Sequence, residues 1–284
     1  MRRLAILLPL LLLACEPPAG PTTMQAPRVV VCATVFPLAD VVREIGGDFV
    51  RVDWILDLGD PIGGYPLTAA NRDRMTGVDL LVVGGQRSES WAQPAIFALE
   101  ETQRVVALDG LRISQTAPTT GVLWMDPVIV REAVPAIADQ LVARMPRQSE
   151  FFRQQAMQYT QRIDTILKAH PNSVFGRGRM MVLDRTFDPL LDRFGIRTSL
   201  LECVPLRLTD ADFRNIRAKA RDENIRALLL PFDTPGGAVA DIEARTGLRV
   251  FRLDALGLAK YEQHGTYLEI LEYNLTQLEE ATQL

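Results

Sequence analysis

Apolar positions along this chain fall into two alternating signatures. Short continuous runs such as Val29-Val30-Val31-Cys32-Ala33, bounded by turn residues, suit strands buried on both faces of a parallel sheet. Stretches with helical spacing lie between them. In order, the pattern predicts a strand at 29–33, a helix at 38–45, a strand at 50–55, a helix at 69–75 and strands at 78–83 and 104–108. After residue 170 it predicts a strand at 180–183, helices at 190–194 and 210–224, the second capped by Thr209, and a strand at 227–230. A helix at 238–246, a strand at 250–253 and a helix at 267–281 complete it. Between the halves, Phe151, Phe152, Met157, Ile163, Ile166 and Leu167 recur near a 3.6-residue period, which predicts one uninterrupted helix stopped at His170-Pro171-Asn172. The expected fold class is therefore α/β, with two Rossmann-like lobes of parallel sheet joined by one long backbone helix. The lobes are expected at 28–146 and 171–284, and the helix at 147–170. Such alternation places ligand-binding loops at the carboxyl ends of strands. A single stiff connector predicts only modest lobe movement on ligand capture.

Ahead of the folded part, Arg2-Arg3 precede an apolar run at 4–13 broken only by Pro9, followed by Ala14-Cys15. That run is too short to span a bilayer, and with small residues before a cysteine it reads as a lipoprotein-type signal peptide at 1–14. Cys15 is then the expected lipidation site, with 15–27, rich in proline and glycine, as the tether. The implied location is the periplasm or cell surface, anchored to membrane lipid through Cys15.

Charge excludes one class of partner. With 31 basic and 35 acidic residues interspersed, the chain has no basic tract that would predict nucleic-acid binding. Setting Cys15 aside leaves Cys32 and Cys203, which form no metal or disulfide framework and read as buried small side chains. Gly63-Gly64 and Gly236-Gly237 extend to no phosphate-binding fingerprint and read as turns. Neither GxSxG nor HExxH occurs, so no enzyme is expected. The two histidines, His170 and His264, are expected to be solvated or capping.

Three stretches carry more information: Asp60-Pro61-Ile62-Gly63-Gly64-Tyr65; Val122-Leu123-Trp124-Met125-Asp126-Pro127; and Asp184-Arg185-Thr186-Phe187 with Leu190-Leu191-Asp192-Arg193-Phe194-Gly195-Ile196. Together with Val35-Phe36-Pro37-Leu38-Ala39-Asp40, Asp79-Leu80-Leu81-Val82-Val83-Gly84-Gly85 and Leu253-Asp254, they resemble, in shared order, the metal-binding solute receptors of zinc and manganese ABC transporters. Those loops read roughly Asp-Pro-His-x-Tyr, His-x-Trp-Leu-Asp-Pro and His-x-Ala-Phe. Here the three histidine positions hold Ile62 or Gly63, Val122 and Asp184.

The resemblance implies a monomeric solute receptor that docks on a membrane ABC permease, with Asp254 at the position of the family's acidic metal ligand. Asp184 and Asp254 are the candidate ligands left for a divalent ion, Zn or Mn. Two carboxylates hold zinc poorly and suit a harder ion better. Arg185 is a competing cation beside Asp184. The expected cleft lining is Ile62, Gly63, Tyr65, Val122, Trp124, Arg185 and Phe187. Two alternatives stay open. In one, Trp124 and Phe187 are interlobe core and Asp184 with Arg185 is an ion pair. In the other, the scaffold serves a small non-metal solute or a non-transport envelope partner.

Overall fold

The computed structural model describes residues 28–85, 88–100, 102, 104–112, 120–175, 178–202, 207–257 and 264–284. The expectations for the leader, Cys15, the tether and Cys203 lie outside the described residues.

Strands β1 (Val29–Val35), β2 (Val50–Leu56), β3 (Leu80–Val83) and β4 (Val105–Ala107) form one parallel sheet in the order β2-β1-β3-β4. Strands β5 (Arg179–Val182), β6 (Arg197–Leu200), β7 (Ala227–Pro231) and β8 (Arg249–Leu253) form a second in the order β6-β5-β7-β8. Each half thus repeats one topology, and the α/β expectation of two parallel sheets holds. Central strands are mostly buried, and β3 is buried throughout, whereas β6 is largely part-exposed because it lies at an edge.

Helix α1 (Phe36–Gly46) follows β1 directly, with proline in its first turn, where no intrahelical donor is needed. Thr68 caps α2 (Ala69–Thr76) by accepting from the Asn71 N–H at 3.1 Å. Then come α3 (Gln93–Glu100), α4 (Pro127–Arg144), the connector α5 (Ser149–Ala169), α6 (Asp188–Arg193), α7 (Asp210–Asp222), α8 (Gly236–Thr246) and α9 (Tyr267–Thr282). A reciprocal Thr209–Asp212 capping box starts α7.

Three elements were not legible in the apolar pattern. Helix α4 carries Pro135 in its interior, on an exposed position where the missing N–H and the ring cost least. Its buried positions, from Ile129 to Leu141, are too many to make one clean stripe. In α3 the exposed Phe97 breaks the period, and β6 is short and half polar.

The connector also has more company than a lone spine. Helix α5 buries Phe152, Ala156, Tyr159 and Ile163, and packs against α4 and α1. Helix α9 returns from the second half to pack on α1 and α5. One hydrophobic core therefore runs through both halves, from Val29 to Ala281, while a smaller cluster around Met181, Phe213 and Ile216 lies in the second half.

Candidate solute-binding cleft

The loop after β2 is built by a turn in which the Asp60 N–H donates to the Asp57 carbonyl at 3.0 Å and the Asp60 carboxylate accepts from the Asp57 N–H at 2.9 Å. Trp91 then holds the loop tip: its indole N–H donates to the Ile62 carbonyl at 2.9 Å, and its ring lies 5.0 Å from that of Tyr65. The Tyr65 hydroxyl accepts from Asn71 at 2.8 Å. Tyr65 is thereby tied to its own lobe.

Opposite this loop stand the carboxyl ends of β7 and β8 and the turn after β5. Among the described residues they enclose a cavity of about 280 Å³ lined by Leu58, Asp60, Pro61, Ile62 and Gly63 on one side. The other side is Thr186, Phe187, Pro231, Phe232, Asp233 and the segment from Leu253 to Leu256. Of the residues singled out in the sequence, Ile62, Gly63, Phe187 and Asp254 come together here. Tyr65, Val122, Trp124, Asp184 and Arg185 are not among this lining.

Those five have definite surroundings. Trp124 is buried and donates its indole N–H across the lobes to the Ala255 carbonyl at 2.7 Å. Val122 is buried, and its N–H donates to the Thr186 carbonyl at 3.0 Å. The Asp184 carboxylate accepts from the Thr186 N–H at 2.8 Å, closing an Asx turn. Arg185 does not pair with Asp184 as the sequence suggested. It is half exposed and reaches Asp188 at 3.3 Å, because a turn closed by the Asp188 N–H on the Arg185 carbonyl at 3.1 Å folds the two residues together just ahead of α6. Asp188 also accepts from the Thr120 hydroxyl at 2.5 Å. Gly121, between Thr120 and Val122, has φ +82°, and a Cβ there would meet Pro189 and the Arg185 carbonyl.

Asp254 is the most tightly held group at the cleft, 1% exposed. Its Oδ1 accepts from the Leu256 and Gly257 N–H groups at 2.9 and 2.8 Å, and its Oδ2 faces His264 Nδ1 at 2.7 Å. Its backbone is fixed by Asn274, whose amide exchanges a reciprocal pair of 2.8 Å hydrogen bonds with the Asp254 N–H and carbonyl. His264 is not solvated as expected. It is 4% exposed, with its ring centroid 4.2 Å from Phe232 and 4.5 Å from Tyr273. Loop spacing gave no hint of this, since the partners are ten residues apart with no periodic element between them. His170 does cap α5 as its terminal residue, and its ring pairs with Glu279 of α9 at 2.6 Å.

Two further groups escaped the sequence reading. Asp233 lies two residues past Pro231, and counting on from that strand end would have found it. Glu89 is fully buried beneath the interlobe Trp124, with Oε2 accepting from the Gly84 and Gly85 N–H groups at 2.6 and 3.2 Å. Burial pushes its carboxyl up to about 7, against the opposing pull of Thr34 and those two N–H groups. Cys32 is a buried free thiol, pushed up to about 12 by burial. Among the described residues, no three His, Cys, Asp or Glu side chains converge as a metal site.

The frame of the whole chain settles its kinship. The family model of the zinc-uptake complex component A, periplasmic (ZnuA), matches residues 31–281. The chain belongs to the ZnuA family. Solved structures similar to this ZnuA-family chain include the metal-dependent lipoprotein YcdH from Bacillus subtilis, at 17% identity and TM-score 0.76, covering 90% of this chain and 100% of that one. The Zn(II)-bound ZnuA-like domain of Streptococcus pneumoniae AdcA matches at 17% identity and TM-score 0.77, over 90% and 100%. The periplasmic zinc binding protein TroA from Treponema pallidum matches at 17% and 0.72, over 90% and 99%. At these identities the likeness shows a shared fold. ZnuA-family proteins are solute receptors that work with an ABC permease, and they are not enzymes. Among the described residues, no helix is long and apolar enough to cross a membrane.

Proposed function

We propose that this chain is a lipid-anchored receptor of an ABC transporter whose interlobe cleft has lost high-affinity zinc coordination and takes a different small solute. The observation that carries this reading is the state of Asp254. At the position of the family's acidic ligand, the carboxylate is committed to two backbone N–H groups and one imidazole. These contacts take up most of the carboxylate's roughly four acceptor sites, leaving little for a cation to draw on. The three positions where the family has imidazoles hold Ile62 or Gly63, Val122 and Asp184, and Asp184 spends an oxygen on its own turn. A tetrahedral zinc site needs nitrogen or sulfur ligands that these residues do not supply.

The remaining cavity, about 280 Å³, is just below the size range of ordinary small-molecule pockets, and its mixture of aromatic, aliphatic and carboxylate walls matches their composition. Capture there, presentation to a permease and release require no chemical step. The test is elemental analysis of the purified protein, paired with thermal melts in Zn²⁺, Mn²⁺ and chelator. The reading expects sub-stoichiometric metal and no metal-dependent rise in melting temperature. Stoichiometric zinc lost on Asp184→Ala or Asp254→Asn would overturn it.

A further inference from the structure

We propose that the end of the first lobe opposite the cleft is a docking surface for the phosphate headgroups of an anionic phospholipid bilayer. Carboxyl ends of the strands line the cleft, so the amino ends of β1 to β4 form the far end of that sheet. Arg28 immediately precedes β1 and Arg104 immediately precedes β4, Arg51 is the second residue of β2, and Arg144 closes α4 with Arg147 just beyond it.

A concavity of about 630 Å³ opens on this end, with Arg28, Arg144 and Arg147 on its rim and Val29, Phe49, Met145 and Pro146 as apolar wall. Phe49 is braced edge-on by Phe151 at 5.2 Å. Cationic rim over apolar floor is the chemistry of a bilayer interface, where guanidinium groups meet phosphates and apolar surface meets the glycerol region. Among the described residues, Asp79 is the one acidic residue lining the concavity, and one of its oxygens is occupied by the Val30 N–H at 2.8 Å. Two exposed carboxylates follow lining residues closely in sequence, Asp48 just before Phe49 and Glu150 two residues past Gln148, so the cationic excess rests on Arg28, Arg144 and Arg147 together. Arg144 is positioned by the Asp79 carbonyl and by Gln140, whereas Arg28 and Arg147 are exposed.

The corresponding end of the second sheet differs. There Arg179 pairs with Glu223 at 3.1 Å, Arg226 donates to the Leu284 carbonyl at 2.9 Å, and Arg249 sits 5.1 Å over the Phe251 ring. Chain connectivity makes the same distinction. Arg28 is where residues 16–27 join the fold, and that stretch spans at most roughly 40 Å fully extended. If Cys15 carries lipid, on which the biological role of this surface rests, the first sheet's arginine-rich end is therefore held within reach of the bilayer. Several arginines of individually weak affinity then act at high effective concentration.

The test uses the mature chain from residue 15 with Cys15→Ser, so that no acyl chain contributes, in cosedimentation with phosphatidylcholine vesicles with and without phosphatidylglycerol. Binding is expected only with phosphatidylglycerol. It should weaken with salt and drop roughly thirty-fold in Arg28→Gln/Arg147→Gln, since each arginine near an anionic surface contributes about five-fold in partition and the two multiply. Arg179→Gln/Arg249→Gln, at the other sheet, should bind as the parent does, and matched melts show that all variants fold. Equal partition to both vesicle types, absence of binding, or an unaffected Arg28→Gln/Arg147→Gln variant would overturn the proposal. Full displacement by soluble glycerol phosphate would also overturn it, since the pocket would then serve a free phosphate ester. Mass spectrometry of cell-extracted protein tests Cys15 acylation separately, so failure of the anchor and failure of the surface are told apart.

Discussion

Replacing Glu89 with glutamine tests whether a buried acid at the lobe junction makes the protein less stable at higher pH. The side chain is fully buried, Oε2 takes two backbone N–H groups, and Thr34 also draws on the carboxyl. Burial raises its carboxyl from 4.5 to about 7. In the folded state the acid stays protonated over a range where the unfolded chain has already released its proton. Fewer protons bound in the unfolded state means that stability falls as pH rises from 4.5 to about 7 and is flat above. At about 1.4 kcal/mol per unit the loss is about 3 kcal/mol. Glutamine has the same shape, can accept from Gly84 and Gly85, and never ionises. Urea denaturation of both proteins should give similar stability at about pH 4.5 and a variant more stable by about 3 kcal/mol at about pH 8. Asp40, pushed up to about 6 by burial, adds a similar slope to both proteins and cancels in the difference. Parallel curves, with a gap that does not change with pH, would refute the reasoning.

Three further outcomes are expected. Arg193→Ala removes the bidentate partner of Asp126, which is nearly inaccessible at the start of α4 and keeps only the Val128 N–H. The loss should be about 3 kcal/mol, seen as a lower urea midpoint with unchanged slope, and a change within error would deny the pair any role. Gly121→Ala forces a side chain onto φ +82° and against Pro189 and the Arg185 carbonyl, so it should cost about 3 kcal/mol in the same assay; a neutral result would mean that the two lobes slide apart freely there. Introducing Ile62→His, Val122→His and Asp184→His together should create zinc affinity, read as a melting shift worth about 2.7 kcal/mol at free zinc a hundred times the dissociation constant. No shift would show that missing imidazoles are not what separates this cleft from a zinc site.

Much of the architecture was legible because buried parallel strands leave unbroken apolar runs, as in β1 and β3, and because α5 keeps one clean stripe. Helix α4 hid behind Pro135, whose exposed placement is decided by tertiary packing and leaves no trace in spacing. At the cleft, the loop frames located Ile62, Gly63, Phe187 and Asp254, since strand ends fix where loops converge. The pairing of Asp254 with His264 was invisible because no helical or strand spacing links two positions ten apart, and because it depends on Phe232 and Tyr273, from distant parts of the chain, closing over the ring. Arg185 misled for a related reason: adjacency in sequence suggested Asp184, and the turn leading into α6 delivered Asp188.

The return of α9 bears on the order of assembly. Asp40 lies in the first helix, and its buried carboxylate accepts the N–H of Tyr267 at 2.8 Å, 227 residues further along. Phe36, at the start of the same helix, sits where any side chain at Gly257 would fall. A ribosome that has released only the first half has therefore made a sheet whose first helix still lacks its closing partner. That contact cannot form until the last helix emerges. The first and last helices therefore lock together only in a finished chain, whatever the first sheet achieves before then.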